Sequence, residues 1–216
     1  MIKTSASLLA CDLSNISGEL SRCKAAGVDW IHFDVMDGAF VEQITYGSPV
    51  LKCIRRATDM FLDVHLMVND PMSQIKFFAE AGADLISFHL ESSSSAVQTL
   101  ELIRSFGVKS ALAIKPGTAA EEVYPLLSLC DMVLVMTVEP GYGGQAFIPE
   151  TIEKIRQLRE YAGSDLDIEV DGGINARTAP LVKEAGANVL VAGTGLFKAE
   201  DMEQANAALK TPQKGV

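Results

Sequence analysis

The residues of this chain that could carry out acid–base or metal chemistry lie within or directly after short apolar segments. They include all three histidines, four carboxylates and one serine: Ser7, His32, Asp34, Asp63, His65, His89, Glu169 and Asp171. His32 and Asp34 are two residues apart, so a strand would point both side chains to one face. With His65 and Asp171 they would form a set of two nitrogens and two oxygens suited to Zn2+, Fe2+, Co2+ or Mn2+. From spacing alone, a salt-bridge network between strands explains the four residues equally well.

The segments that carry these residues are predicted to be strands. They are short, apolar and mostly continuous, which is typical of parallel strands covered on both faces. The eight predicted strands are Thr4–Leu9, Trp30–Asp34, Phe61–Leu66, Leu85–His89, Ser110–Ile114, Met132–Met136, Asp167–Asp171 and Val189–Ala192. Amphipathic helical patterns lie between most of them, for example at Leu13–Ala25, Ile75–Ala81, Thr151–Tyr161 and Ala176–Ala185.

A repeated tetrapeptide indicates how these elements are connected. Ala-Gly-Val-Asp at 26–29, Ala-Gly-Ala-Asp at 81–84 and Ala-Gly-Ala-Asn at 185–188 each precede an apolar segment, and Asp131 ends a fourth copy without the glycine. In each, a helix would end at the alanine and glycine would take the left-handed position after it. Eight such β-then-α units without a linker predict one α/β domain over residues 1–216, a (β/α)8 TIM barrel. An open doubly wound sheet would need a nucleotide fingerprint after the first strand, and Ser5–Ala10 has none.

Composition narrows the possible partners and the compartment. Hydrophobic residues make up 48% of the chain, enough for a sizeable core. The formal net charge is −10, and this negative charge disfavours nucleic acid and anionic membranes as partners. The apolar run Met132–Val138 is far too short to span a bilayer, and the N-terminus resembles no signal peptide. The four cysteines form no C-x-x-C pair, so no zinc knuckle or redox motif is indicated. These features predict a soluble cytoplasmic protein.

Glycines and methionines cluster at the ends of the predicted strands, where a barrel of this kind places its active site. Pro140–Gln145 and Gly193–Gly195 are glycine-rich and follow the sixth and eighth strands. Such loops let backbone N–H groups approach a phosphate closely. Met36, Met67 and Met136 either fill gaps in the core or form an apolar wall beside the reacting atoms.

Four motifs resemble signatures of the ribulose-phosphate 3-epimerase family, and the similarity runs from Ser7 to about Phe197, nearly the whole chain. They are His-Phe-Asp-Val-Met-Asp-Gly at 32–38, Asp-Val-His-Leu-Met-Val at 63–68, Val-Met-Thr-Val-Glu-Pro-Gly-Tyr-Gly-Gly-Gln at 135–145 and Glu-Val-Asp-Gly-Gly-Ile at 169–174. The resemblance implies a ribulose-phosphate-binding barrel that epimerises a sugar phosphate at C3, as in the pentose phosphate pathway.

The resemblance also implies roles for individual residues. The metal ligands would be His32, Asp34, His65 and Asp171, and the acid/base pair would be Asp34 and Asp171. The substrate would contact Ser7, Met36, His65, Met67, Met136, Gly141, Tyr142, Gly143, Gly144, Gly172, Gly173, Gly193 and Thr194. One divalent ion is implied, with Zn2+ favoured over Fe2+, Co2+ and Mn2+, and no organic cofactor. The family further implies a homo-oligomer, either a dimer or a hexamer.

Two departures from the family pattern keep other sugars open. The family's usual Gly-His-Phe-Val-Pro-Asn is replaced by Gly-Ala-Phe-Val-Glu-Gln at 38–43, and Gly193–Phe197 resembles the allulose-6-phosphate 3-epimerases as much as the usual form. D-ribulose 5-phosphate is the expected substrate, and D-allulose 6-phosphate or another ketose phosphate is the alternative. The decarboxylases and aldolases with an Asp-x-Lys-x-x-Asp motif are disfavoured because Met36 stands at the lysine position. A non-catalytic sugar-phosphate-binding barrel is disfavoured by the presence of Asp34 and Asp171.

Overall fold

Eight parallel strands pair in the order of the sequence, and the last pairs with the first to close a barrel. The structure is a computed structural model that describes residues 1–211, so residues 212–216 of the predicted domain lie outside the described residues. The strands are β1 Lys3–Ser7, β2 Trp30–Met36, β3 Phe61–Met67, β4 Leu85–His89, β5 Lys109–Ile114, β6 Met132–Met136, β7 Asp167–Asp171 and β8 Val189–Ala192. The predicted (β/α)8 TIM barrel is therefore confirmed.

Helices follow the strands and cover the outside of the barrel. They are α1 Ile16–Ala25, α2 Ser48–Ala57, α3 Ile75–Ala81, α4 Ala96–Ser105, α5 Thr151–Ala162, α6 Ala179–Ala185, α7 Thr194–Phe197 and α8 Met202–Lys210. Short 3-10 helices span Leu8–Ala10 and Leu13–Asn15, and a longer one spans Ala120–Leu129 between β5 and β6. Pro125 lies inside this last helix and supplies no backbone N–H, which disfavours a regular α-helix there. In the part of the chain that the structure describes, no helix is both long and apolar enough to cross a membrane.

Several predicted element boundaries were wrong, and local backbone geometry explains them. β1 ends at Ser7 rather than Leu9, because the chain turns into the 3-10 helix Leu8–Ala10, in which the Cys11 N–H donates to the Leu8 carbonyl. The predicted helix Leu13–Ala25 is divided at Asn15 into a 3-10 turn and α1. The predicted helix Ala176–Ala185 begins only at Ala179, because the Asn175 side chain accepts the Arg177 N–H and holds a turn.

Apolar residues surround the barrel and also fill part of its inside. The main core lies between the outer faces of the strands and the helices, and includes Phe33 and Phe78. Inside, the end at which the strands begin is closed by an apolar cluster that contains Trp30, stacked on Phe61 with ring centroids 4.4 Å apart. Higher up, apolar residues of β5 and β6 such as Leu134 line one side. Other interior positions on β1 to β4 and β7 carry buried polar side chains, among them Ser5, His32, Asp63, Ser87 and Glu169.

The repeated tetrapeptide has a structural role at the N-terminal ends of the strands. In each copy, the final aspartate or asparagine accepts a hydrogen bond from a backbone N–H at the start of the preceding strand. The four pairs are Asp29 with Thr4 at 2.8 Å, Asp84 with Leu62 at 2.7 Å, Asp131 with Ser110 at 2.9 Å and Asn188 with Ile168 at 2.7 Å. The contact therefore recurs at β1, β3, β5 and β7, once for every two β/α units, which explains why the repeat spans two units.

Replacing Asp84 with alanine is expected to destabilise the barrel by about 1–3 kcal/mol, because the buried Leu62 N–H loses its acceptor. Asp84→Asn is the matched control, since Asn188 makes the equivalent contact with an amide oxygen. Denaturant unfolding of both variants measures the difference. Equal losses of stability in the two variants would show that Asp84 stabilises the barrel through its ion pair with Arg55 and not through the backbone contact.

Candidate active site

Strand register brings the predicted metal ligands to one level of the barrel interior. β2 and β3 pair with His32 beside Asp63 and Asp34 beside His65. β6 and β7 pair with Met136 beside Asp171. Because inward side chains recur at every second residue of a strand, His32 and Asp34 both point into the barrel, as do Asp63 and His65.

The four predicted ligands form one compact cluster. One atom from each of His32, Asp34, His65 and Asp171 can be chosen so that all lie within 4.8 Å of one another. His32 Nε2 lies 3.2 Å from Asp34 Oδ1 and 3.9 Å from Asp171 Oδ2, and His65 Nδ1 lies 3.4 Å from Asp34 Oδ1. Ligand atoms placed about 2.1 Å from a tetrahedral ion are roughly 3.4 Å apart, so the cluster has the right size for a divalent cation.

The hydrogen bonding of the two histidines also fits a metal ion. His32 Nε2 and His65 Nδ1 are fully buried and have no hydrogen-bond partner. Burying a polar atom without a partner is costly, and these two atoms face the two carboxylates. Two imidazole nitrogens and two carboxylate oxygens are a donor set that Zn2+ and its first-row neighbours accept. The residues therefore fit a divalent metal ion.

A second layer of buried polar residues lies directly below the cluster. His32 Nδ1 is 2.6 Å from Asp63 Oδ2, which also accepts a hydrogen bond of 3.1 Å from the Ser5 hydroxyl. Glu169 is completely buried, and its Oε1 lies 3.9 Å from His32 Nδ1. Burial and the neighbouring Asp63 carboxylate raise the pKa of Glu169 well above its usual range. Asp63 below His32 accepts the proton on Nδ1, which leaves Nε2 as the ring nitrogen that faces the cluster and could bind a metal ion.

Charge is distributed unevenly between the two carboxylates of the cluster. Burial opposes ionisation of Asp34, yet the imidazoles of His32 and His65 outweigh it and lower the pKa of Asp34. Ser7 donates a hydrogen bond of 2.7 Å to Asp34 Oδ2. For Asp171, burial and the negative charge of Asp34 raise the pKa to about 6. A cation bound between the two groups would favour the ionised form of both.

A cavity of about 730 Å3 opens above the cluster at the C-terminal ends of the strands. Asp34 and Asp171 lie at its base. The predicted substrate residues that line it are Ser7, Met36, Met67, Met136, Gly141, Tyr142, Gly143, Gly144, Gly172, Gly173, Gly193 and Thr194. His65 is the exception: it is fully buried below the surface of the cavity and faces Asp34 within the ligand cluster.

The pair Gly172–Gly173 is required by close packing directly after Asp171. Both residues have positive φ angles, 121° and 66°. A Cβ at Gly172 would lie 2.5 Å from the Val138 side chain, and one at Gly173 would lie 2.7 Å from the backbone nitrogen of Phe147. The loops after β6 and β7 can therefore approach each other only because both residues are glycine.

Sequence reasoning missed three features of the site. The positions of Asp63 and Glu169 below the metal cluster depend on the stagger between β2, β3 and β7, although period-two spacing from His65 and Asp171 is a signal that the sequence contains. Lys198 lines the cavity, and among the lining residues it is the one basic side chain in the part of the chain that the structure describes. Glu91, two residues after His89, was not singled out and contacts that histidine.

Sequence comparisons place the chain in a family. A model of the ribulose-phosphate 3 epimerase family matches residues 3–197. A cytoplasmic isoform of ribulose-phosphate 3-epimerase from Oryza sativa subsp. japonica is 42% identical, over 99% of this chain and 95% of its own length. A ribulose-phosphate 3-epimerase from Bacillus subtilis (strain 168) is 43% identical, over 95% and 96%. The chain belongs to the ribulose-phosphate 3-epimerase family. It is therefore an isomerase, and the resemblance drawn from the sequence is confirmed.

Solved structures of enzymes outside the epimerase family have the same barrel fold. A 3-hexulose-6-phosphate synthase has a TM-score of 0.71 at 20% identity, with 96% of this chain and 98% of that chain covered. A 3-keto-L-gulonate-6-phosphate decarboxylase from Vibrio cholerae O1 biovar El Tor str. N16961 has a TM-score of 0.69 at 16% identity, with 97% and 95% covered. At these identities the likeness shows the fold alone. In this chain Met36 stands where the Asp-x-Lys-x-x-Asp motif has lysine, and it presents an apolar side chain to the cavity.

The loop that departs from the family pattern contacts the cavity only indirectly. Residues 39–43 are absent from the lining of the cavity. Glu42 instead accepts a hydrogen bond of 2.6 Å from the hydroxyl of Tyr142, which does line it. Val41 packs against Gly141, where a Cβ would come within 3.2 Å. Of the replaced residues, Glu42 therefore contacts the glycine-rich loop after β6.

Gly173→Ala is expected to reduce activity on the order of 100-fold, because the added Cβ meets the Phe147 backbone and displaces the loop next to Asp171. Gly107→Ala is the control: its φ of 73° is similar, but nothing lies within 4 Å of an added Cβ. The control should lose only about 1–2 kcal/mol of stability, from the left-handed backbone alone. Denaturant unfolding and steady-state kinetics distinguish the two effects. Full activity in Gly173→Ala would contradict the packing argument.

Proposed function

We propose that the chain interconverts D-ribulose 5-phosphate and D-xylulose 5-phosphate, using a divalent metal ion and two aspartates that move a proton at C3. The observation that carries the proposal is a pair of carboxylates, the buried Asp34 on β2 and the partly buried Asp171 on β7. They meet at the base of a cavity beside two imidazole nitrogens that have no hydrogen-bond partner. The family membership and the relatives that carry this name support the same reaction.

The two aspartates come from strands that are not neighbours in the barrel, so they can reach a bound substrate from different sides. One carboxylate removes the proton from C3, and the other returns a proton to the opposite face of the same carbon. In the reverse reaction the two residues exchange roles. A divalent ion held by His32, Asp34, His65 and Asp171 would supply a Lewis acid that stabilises the negative charge developing on the substrate oxygens. No organic cofactor is needed for this chemistry.

The rest of the cavity suits a short sugar phosphate. Backbone segments with little side-chain bulk, at 141–144, 172–173 and 193–195, leave room for phosphate oxygens to approach N–H groups. Lys198 adds one positive charge to that part of the lining. Met36, Met67 and Met136 supply an apolar wall around the reacting carbons. The alternative D-allulose 6-phosphate is not favoured, since the curated relatives carry the ribulose-phosphate name and residues 39–43 do not line the cavity.

Three finer assignments belong to this proposal. Zn2+ is the expected metal, because two nitrogens and two oxygens at tetrahedral spacing suit it best. The cytoplasm is the expected compartment, supported by four unpaired cysteines and by the rice relative named as a cytoplasmic isoform. The expected assembly is a homo-oligomer, a dimer or a hexamer, which sedimentation at known concentration would test.

The direct test is to incubate the metal-loaded protein with D-ribulose 5-phosphate in D2O and follow C3 by NMR. Deuterium should enter at C3 while D-xylulose 5-phosphate forms, and removal of the metal by a chelator should stop both. Parallel incubation with D-allulose 6-phosphate compares the two sugars. Faster turnover of the six-carbon substrate would overturn the assignment of ribulose 5-phosphate.

Asp34→Asn and Asp171→Asn should each slow epimerisation by about 100- to 10,000-fold, since each removes one proton-transfer group. Each variant should still exchange the C3 hydrogen of one epimer with D2O, and the two variants should prefer opposite epimers. Metal content, measured on the same samples, controls for loss of a ligand. Exchange of the same epimer by both metal-loaded variants would contradict a mechanism with two bases.

Lys198→Ala should raise the KM for the phosphorylated substrate while kcat changes little, because a charge distant from C3 contributes uniform binding. Lys210→Ala is the control, since that lysine pairs with Asp29 at the opposite end of the barrel. Steady-state kinetics at several salt concentrations should show a weaker salt dependence in Lys198→Ala than in the control. An unchanged KM would contradict a role for Lys198 in binding the phosphate group.

A further inference from the structure

We propose that Glu91 and His89 fix the proton of His65 on Nε2 and thereby prepare its Nδ1 to bind the metal ion. Glu91 and His89 are positioning residues, because neither lines the cavity and neither belongs to the metal cluster. This inference rests on the proposed function for its purpose, which is metal binding. The arrangement of protons can be observed without any metal.

The chain of contacts is continuous. His65 Nε2 and His89 Nε2 lie 3.0 Å apart, and His89 Nδ1 lies 3.2 Å from Glu91 Oε2. His65 Nδ1 faces Asp34 Oδ1 at 3.4 Å. The two imidazoles are fully buried, and their ring centroids are 5.0 Å apart. The Phe40 ring packs on the His89 ring at 4.8 Å, and the Lys115 ammonium lies over Phe40 at 4.1 Å.

Only one placement of protons satisfies all of these contacts when both rings are neutral. A carboxylate can only accept, so His89 Nδ1–H donates to Glu91. The other nitrogen of His89, Nε2, then has a lone pair and accepts from His65 Nε2–H. A neutral ring with its proton on Nε2 has its lone pair on Nδ1, which is the atom directed at the cluster.

Glu91 is itself held in the ionised form and in one orientation. Its Oε1 accepts a 2.8 Å hydrogen bond from the Lys115 N–H and a second from the Thr118 hydroxyl. Burial opposes ionisation, but the hydrogen bonds from His89, Thr118 and the Lys115 backbone lower the pKa of Glu91 to about 2. With two donors fixed on Oε1, the second oxygen remains directed at His89.

This geometry makes Glu91→Gln a specific probe. The amide oxygen of the glutamine will stay with the two donors, the Lys115 N–H and the Thr118 hydroxyl, so its NH2 group will face His89 Nδ1. The ring must then accept at Nδ1 and donate from Nε2, which moves the proton of His65 to Nδ1. The substitution preserves size and hydrogen-bond count but reverses the order of the protons.

The experiment is nitrogen NMR of the imidazole rings in chelator-treated protein, which is tractable because the chain has three histidines. Wild type should show His65 protonated on Nε2. Glu91→Gln should show the opposite tautomer, with the proton of His65 on Nδ1. Zn2+ titration of the same samples should show a roughly 10- to 100-fold loss of affinity in Glu91→Gln. Thr118→Val is the matched control, because it disturbs the same loop but keeps the carboxylate, and it should retain the wild-type tautomer.

A second pair of variants covers the case in which Glu91→Gln does not fold. His89→Gln retains an acceptor for His65 Nε2–H and should keep most of the Zn2+ affinity, whereas His89→Leu removes the acceptor and should not. An unchanged His65 tautomer in folded Glu91→Gln, or equal affinities in the two His89 variants, would overturn the inference. If wild type bound no metal, the proposed function would fail, while the NMR comparison would still decide the proton order.

Discussion

The structure of the site depends on one constraint: a histidine that must present a lone pair at a buried position needs an acceptor for the proton on its other nitrogen. An imidazole enclosed in protein cannot obtain that acceptor from water, and an unpaired buried N–H is costly. His32 and His65 both meet this constraint inside the barrel. The polar layer below the cluster and the contacts beside it follow from this requirement, and their residues occupy interior positions that apolar side chains fill elsewhere in the barrel.

The two histidines meet the constraint with different ring nitrogens and different acceptors. His32 directs Nδ1 down to Asp63, its register neighbour on β3, and presents Nε2. His65 directs Nε2 sideways to His89 on β4 and presents Nδ1. Asp63 is a charged acceptor inside the rigid barrel. His89 is a neutral acceptor whose proton order is set by Glu91, which lies beyond the end of β4. The geometry of His65 is therefore the one that a change in a loop could alter.

The sequence was sufficient to predict the barrel and the identity of the clustered residues, because both depend on local patterns. The period of two placed His32 and Asp34 on one face, and the tetrapeptide ending in Asp29, Asp84 or Asn188 marked the start of strands. Depth inside the barrel was not predictable in the same way. It depends on the stagger between neighbouring strands, so Asp63 and Glu169 were grouped with rim residues although they lie below the cluster. Helix starts such as Ala179 were missed because side-chain turns decide them.

Residues at the N-terminal end of the barrel stabilise the fold, and residues at the C-terminal end form the candidate active site. At the N-terminal end, Asp29, Asp84, Asp131 and Asn188 each satisfy a strand amide, and an apolar cluster closes the interior. At the C-terminal end, buried charges and imidazole nitrogens without a hydrogen-bond partner carry an energetic cost. A closed parallel barrel can tolerate that cost because its hydrogen-bonded strands fix the positions of the side chains at the mouth. The C-terminal end can then be specified by a few residues, and those are the residues in which the sequence motifs are concentrated.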